Sequence, residues 1–193
     1  MNYEDFIARK LTKVPPTGLS DFRLPDGLFD HQRVLTEWAV KRGRAAIFAD
    51  TGLGKSRMQL AWSAAVRDAG HDVLILAPLA VAAQTVSEGR EIGVDVTLCR
   101  EACDVKPGIN ITNYDRLHKF DCGRFGGVVL DESSVIKHHD SKTLATLLEA
   151  FRMTPFKLCA TATPAPNDWV ELGTHICAMS SAISARSMSA RSP

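Results

Sequence analysis

The stretch Ala49-Asp50-Thr51-Gly52-Leu53-Gly54-Lys55-Ser56 limits what this chain can fold into more than any other. It fits the phosphate-binding loop pattern, with Ala in place of the usual first glycine. Arg44 to Phe48 before it read as a buried strand, and Arg57 to Asp68 after it read as a helix. A strand must deliver such a loop, and the following helix adds the positive end of its dipole to the same concavity. Gly52 and Gly54 permit backbone conformations and close approaches that a Cβ would block. Thr51 and Leu53 lend backbone N–H groups to the cradle. Lys55 is placed to reach β- and γ-phosphates, and Ser56 can offer its hydroxyl to Mg²⁺. A glycine-rich turn that happens to precede Lys-Ser is the bland alternative.

The surrounding chain alternates between two periods. Leu28-Phe29-Asp30-His31-Gln32 opens an amphipathic helix in which Val34, Leu35, Trp38 and Ala39 fall at helical spacing, and Lys41-Arg42-Gly43 closes it. Asp72 to Pro78 is a short, almost purely apolar run that reads as a strand covered on both faces. Leu79 to Ile92 reads as a helix. Val94 to Cys99 and Ile109 to Thr112 are strand candidates. Gly126 to Glu132 is a buried strand ending in two acids. Ser141 to Phe151 reads as a helix and Phe156 to Ala160 as the last strand, before Thr161-Ala162-Thr163-Pro164 and a helix from Pro166 to about Cys177. Such alternation predicts an α/β domain with a central, mostly parallel sheet and helices on both faces. Ligands of these sheets sit at the carboxyl ends of the strands, which would bring the phosphate loop, Asp131-Glu132 and Thr161-Ala162-Thr163 to one edge.

Three segments follow: a lead-in over residues 1–27, with a short helix expected from Asp5 to Lys13; a domain over residues 28–178; and a Ser/Ala/Arg-rich tail over residues 179–193 expected to be disordered. The 193 residues suffice for one domain with a real core, and a net charge of +1 carries no global signature of a nucleic-acid binder. A nucleic-acid role must therefore rest on a local groove. No apolar run is long enough to span a bilayer and no signal-peptide pattern opens the chain, so a cytoplasmic location and no membrane partner are expected. The five cysteines form no CxxC pair, which favours reduced thiols over a disulfide framework or a zinc site.

An acid at the end of a buried strand facing a phosphate loop can hold the Mg²⁺ that neutralises phosphate charge, and a second acid beside it can activate water. Asp131 and Glu132 are placed for those roles. The series HQ, ADTGLGKS, LILAPLAV, ITNYDRL, VVLDESS and CATATP, in this order, resembles the first RecA-like lobe of superfamily 2 helicases and translocases. It is most similar to the Swi/Snf-like branch and to phage-encoded members with a DESS box. The resemblance runs from about Leu28 to about His175 and implies a three-layer RecA-like P-loop fold. It also implies ATP and Mg²⁺ as cofactors, nucleic acid as partner with DNA favoured over RNA, and host-cell cytoplasm if the protein is phage-encoded. Gln32 would read the adenine edge, and Phe29 would pack on the base. Gly52, Gly54, Lys55 and Ser56 would bind phosphates and Mg²⁺. Asp131 would hold the metal and Glu132 would be the catalytic base. Pro78 with the turn after it, and Asn113-Tyr114-Asp115-Arg116, would contact the nucleic-acid backbone. Thr161 and Thr163 would couple nucleotide state to strand binding. The plain alternatives are a solvated helix-start Gln32, turn and core roles for Asn113 and Tyr114, helix capping by the threonines, and solvation for His138-His139.

Two departures from the pattern stand out. Many relatives carry His at the fourth position of the acidic box, where this chain has Ser134. Such motors also hydrolyse ATP between two RecA-like lobes, the second supplying arginine fingers, and that lobe is not in this sequence. A truncated or frame-shifted product, or one half of a split motor, is the expectation, with a second lobe as partner in cis or trans. Two rivals remain: another P-loop ATPase, and a non-catalytic module that binds nucleic acid or protein around a residual nucleotide site.

Overall fold

Six short runs, most of them apolar, pair side by side in one direction. In the computed structural model, which describes residues 15–132 and 141–162, they form a single sheet with the order β1-β6-β5-β2-β4-β3. The strands are β1 (Arg44–Phe48), β2 (Val73–Ala77), β3 (Val96–Leu98), β4 (Ile109–Asn113), β5 (Gly127–Asp131) and β6 (Phe156–Thr161). Every pairing is parallel. The helices are α1 (Asp30–Arg42), α2 (Lys55–Asp68), α3 (Leu79–Glu91) and α4 (Ser141–Ala150). The helix expected at Asp5 to Lys13, Ser134, His138-His139, Thr163, the helix expected from Pro166, Cys177 and the tail lie outside the described residues.

Alternation along the strands sorts the core into two layers. Val73, Ile75 and Val129 point to one face and pack with Met58 and Trp62 of α2 and Ala39 and Val40 of α1. Leu74, Leu76, Val128 and Leu130 point to the other, where Leu147 of α4, Phe151 and Phe125 cover them. β2, β4, β5 and β6 are buried at every position, as expected of parallel strands with helices on both sides. The fold is thus α/β in three layers. The described cysteines are free thiols, three of them buried. No helix among the described residues is long and apolar enough to cross a membrane.

One expected face is turned around. In α1 the buried residues are Gln32, Thr36, Ala39 and Val40, while Val34 and Trp38 are 65% and 48% exposed and Leu35 is also exposed. Small residues on the inner side let α1 lie close to α2 and β1, and Thr36 satisfies its buried hydroxyl by donating to the Gln32 carbonyl at 2.7 Å. Close approach and a satisfied polar pair outweigh the apolar stripe that periodicity picks out.

The C-terminal end of α1 shows how the lead-in is held. A helix leaves its last carbonyls without internal partners. Here the N–H groups of Thr17, Gly18 and Leu19 donate to the carbonyls of Arg42, Lys41 and Val40 at 3.3, 3.2 and 3.1 Å. A Cβ on Gly18 would sit 1.9 Å from the Val40 oxygen, so only glycine lets the two backbones run this close. Leu24 further along is 5% exposed and joins the core.

Lys157 is the one buried lysine in the described sheet, beside Arg44 in the β1–β6 register. Burial first, and the Arg44 charge second, push its ammonium down to about 8 from the ordinary 10.5. Its folded-state value is depressed, so its contribution to stability is present above the unfolded value and lost as pH falls through about 8. Lys157→Met is therefore expected to raise the Tm at neutral pH, with the gain shrinking as pH rises from about 8 to 10.5. Thermal unfolding across that pH range measures it, and a gain independent of pH would contradict the assignment.

Candidate functional site

The phosphate loop leaves the carboxyl end of β1 and turns at once into α2. Asp50 shapes the turn: its Oδ1 accepts from the Thr51 N–H at 2.7 Å and from the Thr51 hydroxyl at 3.3 Å. Gly52 and Gly54 have φ of +84° and +76°. Leu53 is 45% exposed at the loop's tip. The Lys55 ammonium reaches back along the loop and donates to the Ala49 carbonyl at 2.9 Å and the Asp50 carbonyl at 3.3 Å. Ser56 follows it in the first turn of α2, whose opening N–H groups face the same concavity.

Gln32 ties this loop to α1. It is 2% exposed. Its Nε2 donates to the Leu53 carbonyl at 3.2 Å, and its Oε1 accepts from the Phe29 N–H at 3.1 Å. The His31 ring nitrogen also lies 3.4 Å from the Leu53 carbonyl, and the rings of Phe29 and His31 stack with centroids 6.0 Å apart. Phe29 itself is 65% exposed at the loop's flank.

The acids come from two strands away. With the order β1-β6-β5 and about 4.8 Å between neighbours, the ends of β1 and β5 stand about 10 Å apart with β6 between them. Asp131 closes β5 and is largely buried. Burial pushes its carboxyl up; a hydrogen bond from Gln59 and the charge of Lys55 work the other way. Because the strands run parallel and end together, the loop after β1 and the carboxylate after β5 lie at the same end of the sheet. Glu132 follows at φ +48°, the one non-glycine residue with positive φ among the described residues. Its Oε1 accepts from the Thr161 hydroxyl at 3.0 Å. The Thr161 carbonyl in turn accepts from the Ala49 N–H at 3.2 Å, so Thr161 touches both the acid and the base of the phosphate loop.

Two residues carry parts that sequence reasoning missed or misplaced. Gln59, 1% exposed on α2, donates its Nε2 to Asp131 Oδ1 at 2.5 Å, and its Oε1 has no hydrogen-bond partner among the described residues. Its place one turn beyond Lys55 and Ser56, on the sheet side of α2, is the signal that could have found it. Tyr114, expected to touch a nucleic-acid backbone, is instead buried and donates its hydroxyl to the Asp131 carbonyl at 2.7 Å. Burial first, then the nearby acids, hold that phenol well above its usual range, so it stays a donor. Asn113 and Arg116 on either side of it line a separate cavity of about 160 Å³ with Leu79, Leu98 and Arg100. Thr163 lies outside the described residues.

The donor set suits a hard cation. Mg²⁺ takes oxygen ligands, few of them from protein, and keeps its waters. Ser56 carries a hydroxyl and Asp131 a carboxylate, both oxygen donors of that kind, and beside Asp131 the buried Gln59 Oε1 is an acceptor without a partner among the described residues.

No protein-family model matches the chain, and no curated protein matches it. Solved structures do. The SWI2/SNF2 ATPase core of Sulfolobus solfataricus in complex with dsDNA superposes with a TM-score of 0.66 at 18% identity, covering 83% of this chain and 37% of that one. The UvsW helicase of bacteriophage T4 gives 0.64 at 12% identity, covering 93% and 66%. The Hef helicase domain of Pyrococcus furiosus gives 0.64 at 14% identity, covering 81% and 38%. The chain thus spans between about a third and two thirds of the length of these proteins.

Gly54 offers a test of the loop. A Cβ there would lie 2.2 Å from Gln32 Nε2, whereas one on Gly52 would meet nothing within 4 Å. Gln32 is buried and bonded at both ends, so moving it breaks both bonds. Gly52→Ala is expected to cost about 1–2 kcal/mol of backbone strain, and Gly54→Ala about 1–3 kcal/mol more. Denaturant unfolding of the two variants measures the difference; equal losses would contradict the packing. The fold is that of helicase ATPase cores, an α/β RecA-like lobe.

Proposed function

We propose that this chain is the ATP-binding N-terminal lobe of a nucleic-acid-dependent helicase or translocase of superfamily 2, with duplex DNA as its track. The observation that carries the reading is the meeting at one sheet edge of a phosphate loop bearing Lys55, an acidic pair at the end of β5, and Thr161 bonded to both. The dsDNA in the complex of the Sulfolobus solfataricus protein supports DNA as the partner.

In this reading the loop N–H groups from Thr51 to Ser56 and the start of α2 cradle the phosphates. Lys55 exchanges its loop carbonyl partners for phosphate oxygens. Ser56 and Asp131 hold Mg²⁺, which when bound neutralises phosphate charge. Glu132 orients water and takes its proton, with Thr161 fixing the carboxylate. Phe29 packs on the base, while Gln32, with both ends of its amide bonded to Leu53 and Phe29, holds the loop and not the adenine edge. Gln59 holds Asp131 in one orientation. Hydrolysis by this lobe alone is slow, because stabilisation of charge on the transferring phosphoryl falls to a partner lobe. A plain nucleotide-binding module remains the rival, and full retention of the acids and lysine favours the enzyme.

Lys55→Ala is expected to weaken Mg-ATP binding at least about 100-fold by calorimetry, roughly 2.7 kcal/mol. Glu132→Gln is expected to retain binding and lose residual turnover by about 10²–10⁴-fold. Unchanged ATP affinity in the lysine variant would overturn the site. A wild-type chain that binds ATP but neither binds DNA nor responds to it would leave the binding-module reading in place.

A further inference from the structure

Gln32 has the right chemistry to read a base edge, since an amide both donates and accepts. Its position uses that capacity inside the protein. At the third residue of α1, its Oε1 accepts from the Phe29 N–H and closes the start of the helix. Its Nε2 donates to the Leu53 carbonyl and ties down the tip of the loop. Gly54 lies against the same nitrogen, close enough that a Cβ there would come within 2.2 Å of Nε2. Gln32 is also buried, so the amide is closed to a ligand.

The flank of the loop presents a flat ring face instead. The Phe29 ring is largely exposed and stacks on the His31 ring, with 6.0 Å between centroids and 12° between planes. A His31 ring nitrogen faces the Leu53 carbonyl at 3.4 Å, so that ring extends the stack beside the loop. A ring face distinguishes bases poorly, because every base has a π-face of its own. Large discrimination comes from edge bonds: a site built to bond a group rejects an analogue lacking it by about 10⁴-fold or more. The phosphate loop adds no selectivity, since its N–H groups and Lys55 address the triphosphate, which all nucleoside triphosphates share.

We propose that this site takes nucleoside triphosphates as a class and not ATP in particular: it recognises the triphosphate and the π-face of the base, and leaves the base edge unread. The substrate class so named belongs to the site proposed above and rests on that reading. Turning Gln32 toward a base would break both of its bonds at once, the cap of α1 and the anchor of the loop tip. The residue equipped to select adenine is thus engaged in holding the loop that every triphosphate uses.

Calorimetry of the wild-type chain with Mg²⁺ and each of ATP, GTP, CTP and UTP tests this. The four affinities are expected to lie within about ten-fold of one another, ordered by how well each base stacks. Phe29→Ala, which removes an exposed ring and keeps the backbone N–H, is expected to weaken all four by a similar factor of about ten. Inorganic tripolyphosphate, which has no base, is expected to bind that variant as it binds wild type. Gln32→Ala is expected to weaken all four and tripolyphosphate together, through the loosened loop. The wild-type comparison stands whether or not Gln32→Ala folds. ATP bound more than about ten-fold more tightly than each of the other three, or a Gln32→Ala loss confined to ATP, overturns this proposal alone. Failure of wild type to bind any of the four overturns the function it rests on.

Discussion

The insertion of β6 between β1 and β5 sets the distance on which everything at the candidate site depends. Parallel strands end together, so the phosphate loop and the acidic pair share an edge, and one intervening strand holds them about 10 Å apart. Direct neighbours would leave the lysine and the carboxylate to neutralise each other. A wider separation would leave neither able to act on the same ligand. β6 also supplies the connection across the gap, since Thr161 accepts from the loop through its carbonyl and donates to Glu132 through its hydroxyl.

Holding acids at the end of a buried strand is costly, and the structure shows how the cost is limited. Asp131 is pushed toward its neutral form by burial. Gln59 donates to its carboxylate and Tyr114 to its carbonyl, so both ends of the residue have a charge-tolerant or polar partner. A buried carboxylate without such donors would abandon its charge. The two donors come from different elements, α2 and the turn after β4. The orientation of Asp131 is therefore a property of the assembled lobe and not of any local segment.

The strands, the helices between them and the glycine-bearing turn from β1 into α2 were legible because each obeys a local rule. Parallel strands covered on both sides read as short apolar runs, and a glycine-bearing loop between strand and helix reads as a phosphate cradle. Positions whose role is set by what faces them were not legible. Val34, Leu35, Trp38 and Ala39 mark a helical stripe, of which Ala39 is buried, but periodicity cannot say that the neighbouring surface accepts Gln32 and Thr36 more closely than the other three. Tyr114 sits between Asn113 and Arg116, which line a separate cavity, and only the sheet order reveals that its side chain turns inward to Asp131. Gln59 has no motif at all; its importance exists only once β5 is placed beneath α2.

The left-handed backbone at Glu132 has an evolutionary corollary. Glycine or asparagine would occupy such a geometry with less strain, so stability by itself would favour replacing the acid. A lineage relieved of whatever demands a carboxylate here should drift toward one of those two residues and gain thermal robustness in doing so. Persistence of Glu at this corner of the sheet among future homologues would mark selection acting against the fold's own preference.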